Sequence, residues 1–220
     1  GEFDESGDAD AHLAALAKLV EAGGKDVVAV GEIGLDYDRE EFCGREVQQK
    51  YFVKQLQLAK QFNLPVVFHN RNTGGDFERM VREQRDMFRT GIVHSFTGTL
   101  EEMKELVGLG LYMGINGCGL KTEENCEVVK HIPLDRLVLE TDAPWCGIRN
   151  SHASSAFVKT KFEEVKKEKF VAGKMVKDRC EAAHALLIAE VVAGLKGVSV
   201  EEVAEATHAN TMAVLFAPPE

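Results

Sequence analysis

The chain has 220 residues, with 26 Lys and Arg against 36 Asp and Glu, a net charge of −10, and 45% hydrophobic and 28% charged residues. That composition excludes a disordered chain, the length suits one sizeable α/β domain or two small ones, and the acidity argues against a general nucleic-acid binder. No apolar run approaches the roughly 20 residues of a membrane span, and no signal peptide is expected. The five cysteines, odd in number and without a Cys-x-x-Cys pair, make neither a zinc ribbon nor a disulfide framework and favour a reducing compartment.

Residues 1–10 are polar and acidic and read as a loop. Leu13, Leu16, Ala17 and Val20 recur at helical spacing, and Gly23-Gly24 ends that helix. A β-branched stretch predicts a strand over 26–32, after which Gly34, Asp36 and Asp38 make a loop. Tyr51, Phe52, Leu56, Ala59 and Phe62 form the inner face of a helix over 47–62, and Asn63 and Pro65 punctuate it. A strand over 65–69, a Gly74-Gly75 loop, a helix near 76–88 and a strand over 91–96 follow. Thr99 and Glu102 form a capping box for a helix reaching about Val107. A strand over 111–116, a helix over 122–130 and a strand over 136–142 come next. Residues 143–179 form a long irregular segment with at most one amphipathic piece. Two helices, near 181–195 and 200–216, close the chain, the second opened by Ser199 and Glu202.

Alternation of this kind predicts an α/β fold with a parallel sheet and right-handed crossovers. Five strands are expected where a closed (β/α)8 barrel has eight. Either the sheet is open or three N-terminal strands lie outside the chain, which starts with Gly rather than Met and is expected to be a fragment of a longer protein.

Four apolar stretches end in polar ligand types: Gly31-Glu32-Ile33-Gly34-Leu35-Asp36, Phe68-His69-Asn70-Arg71, Val93-His94-Ser95-Phe96 and Glu140-Thr141-Asp142-Ala143-Pro144-Trp145. Strand C-termini of a parallel sheet share one face, so Glu32, His69, His94 and Asp142 are expected to collect there as a metal site. A carboxylate can bridge two cations, each imidazole can hold one, and the aspartate can ligate and orient a water. Taken singly, each residue has a plainer reading: a satisfied structural histidine, an exposed Glu, or an Asp capping a Thr-Asp-x-Pro turn. Arg71 stands where it can meet a phosphate or make a surface ion pair. His152, in the irregular segment, is a candidate substrate contact, whereas His12, His131, His184 and His208 read as surface or packing residues. Between Lys159 and Arg179 lie eight Lys and Arg against four acids, either a solvated face or a basic loop for a phosphate chain.

At these motifs the chain resembles the TatD family of metal-dependent deoxyribonucleases, most nearly its eukaryotic branch. The resemblance includes Gly31–Asp36, His69-x-Arg71-Asn72, Val93-His94-Ser95-Phe96-x-Gly98, Asn116-Gly117-Cys118 with Leu120-Lys121-Thr122-Glu123, the run from Glu140 to Gly147, and Lys177-Asp178-Arg179. It implies a TIM (β/α)8-type barrel of the metal-dependent hydrolase superfamily, here one domain over 1–220 with only the last five strands. The implied activity is 3′–5′ exonuclease cleavage of DNA. The implied cofactors are two divalent metal ions, Mg or Mn, with Zn a possibility from histidine ligation. Carried over by position, Glu32 bridges the metals, His69 and His94 bind one of them, and Asp142 binds the other and helps activate water. Glu32 and Asp142 are the catalytic pair, and Arg71, Trp145, His152 and Arg179 are candidate substrate contacts, Trp145 either stacking a base or packing at the rim.

Two departures stand out. The family's N-terminal His-x-His pair is absent, and the Asn-Glu-Pro that follows Lys-Asp-Arg in the branch is Cys180-Glu181-Ala182 here. Competing readings are a hydrolase of another bond on the same site, such as an amide or the ester of aminoacyl-tRNA, and an inactive fragment serving as an interaction module. DNA is the expected partner, with no membrane and no obligate protein partner, in the nucleus or cytoplasm.

Overall fold

The computed structural model describes residues 2–217, in two compact units. The elements follow in chain order. They are α1 (Glu2–Glu5), α2 (Ala9–Gly23), β1 (Val30–Asp36), α3 (Arg45–Phe62), β2 (Val66–Arg71), α4 (Asp76–Glu83), β3 (Gly91–His94), α5 (Leu100–Gly108), β4 (Tyr112–Ile115), α6 (Glu123–His131), β5 (Leu137–Leu139), β6 (Glu164–Val165), β7 (Met175–Val176), α7 (Ala185–Lys196) and α8 (Val200–Thr211). The strand–helix alternation read from the sequence is present, and the fold class is α/β.

The first unit comprises, among the described residues, 2–94, 105–112 and 211–217. In it β1 pairs with β2 and β2 with β3, both parallel. Phe68 on β2 packs edge-on against Phe52 of α3, Phe77 of α4 and Phe88, with ring centroids 6.0, 5.6 and 5.1 Å apart. Phe52, Phe68 and Phe77 are fully buried. Burying these rings together stabilises the packing of α3 and α4 on β2. Val66 and Phe68 alternate with Val67 and His69 along β2, so the strand offers Phe68 to this core and His69 to the other face.

The first strand departs from its expected place. Gly24–Asp26 form a 3-10 turn, and β1 runs from Val30 to Asp36, so Gly34 and Asp36 are strand residues rather than loop residues. Glu32 therefore lies inside the strand and not at its end. Residues 1–10 are not all loop either: α1 forms because Phe3 is buried, stacked on Tyr51 at 4.9 Å and edge-on to His12 at 4.5 Å.

The second unit comprises residues 95–104 and 113–210. Here β4 and β5 pair in parallel, Met113 with Leu137 through Ile115 with Leu139. β5 is shorter than its expected span, leaving Asp142 three residues past its end. The Thr99–Glu102 box is formed in both directions, Thr99 N–H donating to Glu102 at 2.6 Å and Glu102 N–H to the Thr99 hydroxyl at 3.2 Å. The irregular segment carries a 3-10 turn at Ala153–Phe157 and the parallel β6–β7 pair. Its middle is anchored on Glu190 of α7, whose buried carboxylate accepts from Lys159 N–H at 2.7 Å, from Thr160 N–H and from the Thr160 hydroxyl at 2.6 Å. Among the described residues no single helix is long and apolar enough to cross a membrane.

Candidate functional site

Three of the four expected ligands fall in the first unit, and the strand geometry explains how. Val30, Ile33 and Leu35 are all buried, although strict alternation puts residues 30 and 33 on opposite faces. The register shows how both reach the core: Gly31 pairs with Val67 and Ile33 with Phe68, leaving Glu32 as one extra residue. A bulge of this kind re-aims a side chain while restoring the pattern beyond it. It turns the Glu32 carboxylate toward two imidazoles. His69 and His94 are register partners on adjacent strands and so share a face.

The Glu32 oxygens stand 3.9 Å from His69 Nδ1 and 3.7 Å from His94 Nε2. Both separations exceed a direct hydrogen bond. Glu32 is half exposed and His94 largely enclosed. Among the described residues no set of three or more His, Cys, Asp or Glu side chains closes on one point tightly enough to count as a formed metal site.

Asp36 was missed in reading the sequence. Its Oδ2 lies 3.1 Å from His69 Nε2, and its Oδ1 accepts the Asp38 N–H at 3.0 Å. Gln48 of α3 grips the Asp36 backbone from both sides, accepting from its N–H at 2.7 Å and donating to its carbonyl at 2.8 Å. A carboxylate accepting from Nε2–H leaves the Nδ1 lone pair directed toward Glu32, the arrangement by which an outer carboxylate sets the tautomer of a ligating histidine. The signal was the extension of the strand: with Ile33 and Leu35 inward, Gly34 and Asp36 must face the other way. Gly34 has its own reason, since a Cβ there would lie 1.8 Å from the His69 carbonyl oxygen.

Arg71 is an exposed β2 residue whose Nε is 2.9 Å from Asp38, an ion pair that Asn72 shares through a 2.6 Å bond to the same carboxylate.

Asp142, Trp145, His152 and Arg179 belong to the second unit. Asp142 sits at φ +53° and accepts a hydrogen bond from the Cys146 thiol at 3.1 Å. Cys118 lies 2.8 Å from Cys146, sulfur to sulfur. Burial, Cys118 and Asp142 together push the Cys146 thiol far above the ordinary thiol range. Glu140 accepts the Ser95 N–H at 2.8 Å, and buried Asn116 donates to the Ser95 hydroxyl at 2.9 Å while accepting from Cys118 N–H. These clamps hold Ser95 at φ +50°, a conformation few non-glycine residues take. Trp145 is 72% exposed. His152 is buried, its Nδ1 without a hydrogen-bond partner, and burial together with Lys121 and Arg149 holds its imidazole below the usual range. Arg179 is paired with Glu181 at 2.8 Å.

Parallel strands carry imidazoles and a carboxylate over buried aromatic rings, with Asp36 behind His69, in an α/β architecture. The family model for TatD related DNase matches residues 3–216, and the chain belongs to that family. Over 206 residues it is 47% identical to the deoxyribonuclease Tat-D of Schizosaccharomyces pombe, which covers 92% of this chain and 66% of that one. It is 38% identical over 123 residues to the 3′-5′ ssDNA/RNA exonuclease TatD of Shigella flexneri, covering 54% of this chain and 47% of that one. The crystal structure of a TatD family hydrolase from Entamoeba histolytica superposes with a TM-score of 0.90 at 34% identity, over 97% of this chain and 71% of that one. The chain thus spans about two thirds of the length of the first relative and just under half of the second.

Proposed function

We propose that the chain belongs to a divalent-metal-dependent deoxyribonuclease of 3′–5′ exonuclease type, with Glu32, His69 and His94 holding a cation. The observation that carries this is a carboxylate facing two in-register imidazoles, each beyond hydrogen-bond range, with one imidazole locked from behind by Asp36. Such a donor set fits a divalent ion of the Mn or Zn kind, and Mg if water completes the shell. When bound, the ion supplies charge neutralisation at the scissile phosphate and a more acidic water.

The chain's own groups do the rest. Asp36 fixes which His69 nitrogen carries the proton, and Glu32 offers two oxygens. Asp142 is proposed, from the family resemblance, as the second metal ligand and the carboxylate that orients the attacking water. The lysines of the 159–179 segment and the exposed Trp145 suit a single-stranded nucleic acid, one by charge and the other by stacking. Two metals, a nuclear or cytoplasmic setting and a DNA substrate are part of the same proposal. The DNase names of the relatives support it, and the five free cysteines suit a reducing compartment.

The test is hydrolysis of a labelled single-stranded oligonucleotide in Mg or Mn, for this chain and for a version carrying an N-terminal His-x-His strand. Progressive loss of 3′ nucleotides in either supports the proposal. Inactivity of both on DNA, with activity on an amide or an aminoacyl ester, overturns it.

A further inference from the structure

We infer that Cys118 and Cys146 are a thiol pair that closes reversibly to a disulfide, a modification site set directly against Asp142. The two sulfurs are 2.8 Å apart, and each residue is partly exposed, whereas Cys126 and Cys180 are buried. The approach is built into the backbone. A Cβ on Gly117 would lie 2.0 Å from the Cys146 carbonyl oxygen and 3.1 Å from the Gly147 carbonyl carbon, so the segment before Cys118 lies directly on the Cys146 segment. Only a residue without a side chain permits that contact. Cys146 sits at φ +54°, and Asn116 fixes the Cys118 backbone by accepting its N–H at 2.9 Å.

In the thiol state the hydrogen bonds run in one direction. Cys146 donates its one thiol proton to Asp142 Oδ2 at 3.1 Å, which leaves the Cys118 thiol as the donor across the sulfur–sulfur contact. The oxidant is hydrogen peroxide. The Cys118 sulfur attacks a peroxide oxygen, the O–O bond breaks, and a sulfenic acid and water form, Cys146 being held as a thiol by Asp142. The second sulfur then displaces the hydroxyl as a second water. Two thiol protons and two electrons leave the protein, and one S–S bond is made. Asp142 thereby loses its thiol donor. The effect on catalysis rests on the proposed role of Asp142, but the bond itself does not.

The intact chain is treated with stoichiometric hydrogen peroxide, alkylated, digested with trypsin and mapped by mass spectrometry. Two of the five free thiols are lost, peptides 105–121 and 137–149 appear as one linked species, and dithiothreitol separates them. Cys118→Ser gives no link, and Cys43→Ser still gives it. The inference is overturned if all five thiols remain titratable, if Cys146 links to Cys180 instead, or if Cys146 goes to sulfinic acid. In a parallel nuclease assay, oxidation lowers the rate about tenfold and dithiothreitol restores it, as expected for a partner of a metal-ligating carboxylate. A link that forms with no change in rate leaves the thiol pair standing and removes Asp142 from the chemistry.

Discussion

Replacing Asp36 by Asn tests whether His69 is held as a ligand. The two side chains have nearly the same shape, so the Asn oxygen still accepts the Asp38 N–H bonded at 3.0 Å in the native chain. Its amide then faces His69 Nε2, 3.1 Å from the position of the carboxylate oxygen. An amide N–H donates where the carboxylate accepted, which moves the imidazole proton to Nδ1 and blocks the lone pair that faces Glu32. Changes to the outer partner of a ligating histidine typically cost about 10–100-fold in metal affinity, or about 1.4–2.8 kcal/mol. The loss of folding stability is smaller, about 1 kcal/mol, because Asp36 is partly open to water and one bond is retained. Calorimetric titration with Mn reads the first number and a denaturant melt the second. An Asp36→Asn chain that binds Mn as tightly as the native one refutes the reasoning, whatever its stability.

Three other outcomes follow from the packing. Gly34→Ala drives a methyl into the His69 backbone and destabilises the first unit by about 3 kcal/mol, read as a fall in the urea midpoint. Glu190→Ala strands the Lys159 and Thr160 donors and costs about 2–4 kcal/mol, and limited proteolysis then cuts first between residues 158 and 165. Although burial raises the Glu190 pKa, its bonds to the Thr160 hydroxyl and to the Thr160 and Lys159 N–H groups outweigh that and hold it below the usual carboxylate range. Its stability is therefore present above the unfolded value near 4.5 and is lost as pH falls through the lowered folded value. The His152 imidazole is held below its usual range by burial first, then by Lys121 and Arg149. Its share of stability is present above the unfolded value of 6.5 and is lost as pH falls below it, and a His152→Gln chain shows a flatter loss over that window.

Periodicity in the sequence was enough for the order of strands and helices from α2 to β5, because apolar side chains such as Tyr51, Phe52, Leu56 and Ala59 repeat at helical spacing and all four are buried, whereas the two-residue strands β6 and β7 are too short to show a period. It failed where one residue breaks the period. The Glu32 bulge reverses the inside and outside of β1, so the pattern of 26–32 could not be extended to Asp36, and the partner of His69 stayed hidden. The helix at residues 2–5 was missed for a different reason: Phe3, buried on it, is held by Tyr51, far away in sequence. That His69 and His94 share one sheet face was legible because each closes an apolar β-branched run, and the two are register partners on β2 and β3. The cysteine pair was not, since spacing 28 residues apart carries no motif and the contact arises from Gly117 lying on the Cys146 backbone.

The most direct test of the central claim uses the imidazoles themselves. Nitrogen-15-labelled histidine spectra are recorded while Mn is added to the native chain. The account predicts selective paramagnetic broadening of the His69 and His94 ring signals at the lowest metal levels, with His131 and His208 unaffected, and loss of that selectivity in Glu32→Gln. Broadening that spreads evenly over the seven histidines, or that spares His69 and His94, contradicts a cation held by Glu32, His69 and His94.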